Sequence, residues 1–95
     1  MYDGLKDSLK SILAWLEGTD EGGWEAQIES GEGCRSEMER LARPIYGRGK
    51  AGPERNPDAE RLNHAVPHVR AMLAAMRNKH RAAALEHGRA ALAVM

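Results

Sequence analysis

The sequence predicts an all-α fold: a small bundle of three helices, or four if the second or third breaks, with a long kinked C-terminal helix. Three observations predict it. Apolar residues recur at helical spacing in three stretches and nowhere alternate with the period of two that marks a strand. Two glycine-rich segments, 18–23 and 47–57, separate those stretches, and the second also carries two prolines. The 95 residues then fit one domain, 1–95, with no room for a second.

The first helix is expected over 3–17, where Leu5, Leu9, Ile12, Leu13 and Leu16 form one apolar stripe. Gly18 should end it, because glycine tolerates the left-handed conformation common at helix ends. A second helix is expected over 24–43. Trp24, Ile28, Gly31, Met38, Ala42 and Ile45 fall on one side of it, with Glu25, Glu29, Glu32 and Glu39 on the other beside Arg43. Gly31 and Gly33 each weaken its middle by about 1 kcal/mol relative to alanine. That predicts either a break there or a close helix crossing.

Residues 47–57 form a basic glycine and proline linker. A third helix follows over 57–90, with Asn56 suited to the N-cap, Pro57 to the first turn, Pro67 to a kink and Gly88 to a frayed end. Its seam runs Leu62, Val66, Val69, Leu73, Met76, His80, Ala83, His87, Ala90 or Ala91, and Val94, in steps of four and three. Unbroken from Pro57 to Ala93 it would reach roughly 55 Å, longer than a domain of this size. It must therefore break or project. A projecting seam calls for a partner, with Leu73, Met76, His80, Ala83, His87 and Val94 as the contact residues.

Composition supports that expectation. Of the 42% hydrophobic residues 15 are alanine, and there is no phenylalanine. So thin a core is marginal for a lone chain, and self-association would relieve the shortfall. The zero net charge conceals an uneven distribution. Residues 1–39 hold ten acids and three bases, whereas residues 40–95 hold four acids and eleven bases. The acidic face of helix 2 and a basic stripe of Arg70, Arg77 and Arg81 on helix 3 are expected either to meet within the fold or to serve as charged contact faces. The start of the chain lacks a signal-peptide pattern and no stretch is apolar enough to cross a bilayer, so a cytoplasmic location is expected.

Chemical motifs are weak. His64, His68, Met72, Met76 and His80 make a ladder of soft-metal ligands, but steps of four wind around a helix and do not converge on one site. Gly47-Arg48-Gly49-Lys50-Ala51-Gly52 has the glycine and lysine of a phosphate loop without the following Ser or Thr, or a preceding strand. Arg48, Lys50 and Arg55 keep only the weaker role of phosphate contacts on nucleic acid. Cys34 has no histidine in its neighbourhood to activate it, and a lone cysteine excludes an intramolecular disulfide. No cofactor, metal or catalytic residue is expected. The expected function is a non-enzymatic module that docks on a protein partner and homodimerises. The alternative is a small DNA- or RNA-binding protein using the basic linker and the arginine stripe.

Overall fold

The computed structural model of the chain describes residues 3–19, 21–42 and 57–95. These form four α-helices and no strand: α1 (Asp3–Glu17), α2 (Trp24–Ala42), α3 (Pro57–Arg77) and α4 (Arg81–Val94). Each helix lies beside the next, and α4 returns to lie beside α1, closing a ring around one core. Cross-contacts show that neighbours run antiparallel. Trp15 meets Trp24, while Leu5 near the start of α1 reaches Cys34 on α2. Glu32 pairs with Arg77 and Glu39 with Arg70 across α2 and α3.

The expected third helix is two helices. The chain turns at Asn78-Lys79-His80, cutting the roughly 55 Å rod into pieces of 21 and 14 residues, about 31 and 21 Å long. The turn is a Schellman cap. The Lys79 N–H donates to the Met76 carbonyl at 2.9 Å, and the His80 N–H donates to the Ala75 carbonyl at 2.9 Å. The cap requires a left-handed residue, and Lys79 takes that conformation with φ of 58°. The Asn78 side-chain amide donates to the Ala74 carbonyl at 3.1 Å, which also accepts the Asn78 backbone N–H at 3.3 Å. A lysine pays a steric cost there that glycine avoids. Lys79→Gly should therefore stabilise the fold by about 1 kcal/mol, raising the thermal midpoint by about 4–8 °C in a calorimetric scan. A midpoint that falls would show that the lysine side chain contributes more than its backbone strain removes.

The other expected breaks behave differently. α3 runs through Pro67, whose ring is exposed. α2 is continuous through both of its glycines. Gly31 is buried at a close crossing, where a Cβ would stand 2.6 Å from Leu73 Cδ2 and 3.7 Å from Ile12 Cδ1. Gly33 is exposed with nothing near it. Gly88 does not fray the end of α4. It is buried mid-helix, where a Cβ would collide with Leu13 Cδ2 and stand 2.9 Å from Met72 Sδ. At the α1–α2 turn the left-handed glycine is Gly23, with φ of 93°, and not Gly18. The Gly23 carbonyl accepts the first bond of α2 from the Gln27 N–H at 3.0 Å.

The core combines Leu9, Ile12 and Leu16 of α1, Met38 of α2, and Leu62, Val69, Met72, Leu73 and Met76 of α3, all fully buried. α4 contributes only small residues at its centre: Ala84, Gly88 and Ala91. Small side chains let α4 approach α1 and α3 closely, so a short helix with little apolar bulk still seals the core.

Candidate interaction surface

The charged stripes of the sequence meet only in part. Arg70 donates through Nε to Glu39 Oε1 at 3.1 Å and also through Nη2, and Arg35 pairs with the other oxygen of Glu39 at 3.0 Å. Arg77 pairs with Glu32. The Arg70 guanidinium, with Arg35 beside it, holds the Glu39 carboxyl below its usual range. Arg35, Arg70 and Arg77 line an open depression floored by Leu73. Its positive charge is offset by the two glutamates that bind its walls. Glu25 and Glu29 are exposed and make no ion pair among the described residues.

Arg81 has another role. Its Nη1 donates to the carbonyls of Trp15, Leu16 and Gly18 at 3.1, 3.1 and 3.0 Å, capping the C-terminus of α1. Its guanidinium carbon also stands 4.6 Å from the Trp15 ring centroid and 4.9 Å from that of Trp24. The two indoles are edge-to-face, 4.8 Å apart at 87°. One cation thus neutralises the negative end of a helix and fills the corner between two aromatic faces. Nothing in the chain sequence brings positions 15, 24 and 81 together; the antiparallel ring does.

The residues expected to form a self-association seam are divided. Leu73 and Met76 lie in the chain's own core, at 1% and 0% exposure, so they are not available to a partner. Leu73 is covered by α2, whose Gly31 it meets, and the break at Asn78–His80 folds α4 back along α3, so the seam does not project. His80 is exposed in the turn, and Ala83, His87 and Val94 are half-buried on α4. The ladder of soft ligands is split in the same way: Met72 and Met76 are in the core, while His64 and His80 are in solvent. Among the described residues no group of three or more His, Cys, Asp or Glu is placed to hold a metal. Cys34 is buried with its thiol 3.9 Å from the Leu5 carbonyl and 3.8 Å from Met38 Sδ. Burial pushes that thiol up, away from the reactive thiolate. Arg48, Lys50 and Arg55 lie outside the described residues, as do the basic linker and Asn56.

Every helix of the ring keeps an exposed outer face, among them α4. Ala82, Glu86, Arg89 and Ala93 are its exposed residues, and they recur in steps of four, three and four. At 100° per residue these four lie within about 60° of one another, opposite Ala84, Gly88 and Ala91. Half-buried Leu85 and Leu92 flank the stripe on one side, and half-buried Ala83 and Ala90 flank it on the other. Arg89 reaches Glu17 of α1 at 3.0 Å, while Glu86 has no ion pair among the described residues. Sequence reasoning missed this stripe because it treated α4 as the tail of a longer helix. Ending that helix at Asn78-Lys79 would have revealed it. Among the described residues no helix is long and apolar enough to cross a membrane. No family model, curated protein or solved structure matches the chain.

Proposed function

We propose that the chain is a non-enzymatic helical interaction module, an adaptor, regulator or inhibitor that docks on protein through the outer face of α4. The pattern of that face carries the reading. Ala82 and Ala93 stand at its two ends and the opposite charges Glu86 and Arg89 at its middle, flanked by half-buried Leu85 and Leu92, on a helix whose opposite side is anchored to both neighbours. Small exposed side chains let a second helix approach to within 8–10 Å, the usual distance for packed helices. They also lose little side-chain entropy on being covered. A nucleic-acid role gains less from the fold, because Arg70 and Arg77 face carboxylates and Arg81 caps α1.

Site-specific crosslinking in the cells that express the protein tests this reading. A photo-reactive side chain at Ala93 should yield adducts of discrete mass, and the same group at exposed Ser11 on α1 should yield none. The further change Ala82→Glu, on the same face, should abolish the adducts. Equal adducts from both positions, or none from position 93, would reject α4 as the docking face.

A further inference from the structure

We infer that the occupant of the α4 face is a second copy of this chain, paired antiparallel about a two-fold axis between His87 and Gly88. This rests on the docking reading above and specifies its partner. The inference comes from the order of residues along the exposed stripe. Ala82 and Ala93 are equidistant from the midpoint between His87 and Gly88, and so are Glu86 and Arg89. When the helix is laid antiparallel on its own copy, each Ala82 meets the partner's Ala93, and each Glu86 meets the partner's Arg89. The exposed stripe is complementary to itself in size and in charge, as a two-fold interface requires.

The flanks obey the same symmetry. Leu85 and Leu92 are seven residues apart and lie on the side of α4 that carries Arg81 and Arg89 toward α1. Under the two-fold each Leu85 falls near the partner's Leu92. Ala83 and Ala90, also seven apart on the other flank, pair likewise. The four-three-four spacing of the central stripe is that of a heptad seam, in which facing side chains interlock. Arg89 can serve two carboxylates at once, because its guanidinium has five N–H donors and Glu17 takes only part of them. Glu86, which has no ion pair among the described residues, gains one from the partner's Arg89.

The footprint of a helix about 21 Å long is small against the ~800 Å² per partner of a standard interface. The dimer is therefore weak and sensitive to salt, and it is to be sought at high concentration. Sedimentation of the chain from 10 µM to 1 mM in low salt provides the test, with circular dichroism as a check that each variant folds. The wild type should shift from one chain toward two across that range. Glu86→Arg and Arg89→Glu should each weaken the dimer at least about tenfold, because each turns two attractions into two repulsions. The double variant E86R/R89E should recover it. A mixture of the two single variants should also recover it as a heterodimer, since each then supplies the charge the other lacks.

A wild type that remains one chain at 1 mM overturns the second copy. A dimer indifferent to all these changes overturns the α4 pairing. Neither result removes the docking reading if position 93 still crosslinks to a different protein. Adducts at position 93 of twice the chain's mass and no other, with a charge-sensitive dimer, would confine docking to the chain itself.

Discussion

Leu73→Lys with Met76→Lys is expected to abolish folding. Both side chains lie in the core, at 1% and 0% exposure, where α3 faces the other helices. Removing buried bulk at such sites costs about 2–5 kcal/mol each before any charge is considered. A lysine ammonium there has no carboxylate buried beside it among the described residues, whose buried set includes no charged side chain. A chain of this length has only about 5–14 kcal/mol of stability to lose. The expected result is a loss of the helical circular dichroism signal at 25 °C and the absence of a cooperative thermal transition. A variant that stayed helical but sedimented with a smaller mass would show instead that these residues face a partner.

Arg81→Ala gives the second large effect. The substitution removes three hydrogen bonds from a charged donor to the carbonyls ending α1, and the cation between Trp15 and Trp24. Hydrogen bonds to charged groups contribute about 1.5–3 kcal/mol each when buried, and Arg81 is only half-buried. The expected loss is about 2–4 kcal/mol, lowering the midpoint by about 10–20 °C. Arg81→Lys should recover little of it, because an ammonium cannot present the planar face that stacks on an indole. Arg89→Ala is the control. It removes an exposed pair with Glu17, and such pairs contribute about 0–1 kcal/mol. If the two variants melt alike, Arg81 is no more than another surface charge.

The helical class, the extent of the first helix and the start of the second were legible in the sequence, because their apolar spacing is regular and glycines bound them. The length of the third helix required it to break or project, but the place of the break, after Arg77, was not legible. It carries neither glycine nor proline, and the apolar steps of four and three continue through it in register. A Schellman cap built on lysine is set by backbone bonds that periodicity cannot register. A close helix crossing was one of the two readings of Gly31, and Leu73 leaves no room for a Cβ there. Gly88 was hidden: it read as a frayed end, yet Leu13 and Met72 leave no room for a Cβ. Such a position depends on which helices become neighbours. The pairing of acidic and basic stripes was legible for Glu32, Glu39, Arg70 and Arg77. It failed for Arg81, which the turn carries to the end of α1.

The ring of helices also sets an order of events in folding. α1 with α2, and α3 with α4, are hairpins joined by short connections. Contacts within each hairpin close small loops and so form early, on the timescale of local structure. Arg81 links the two hairpins across 63 to 66 residues of chain, so its bonds wait for the hairpins to dock. An interaction formed after the transition state slows unfolding and leaves the folding rate unchanged. Arg81→Ala is therefore expected to speed unfolding more than it slows folding, a split that stopped-flow kinetics would read.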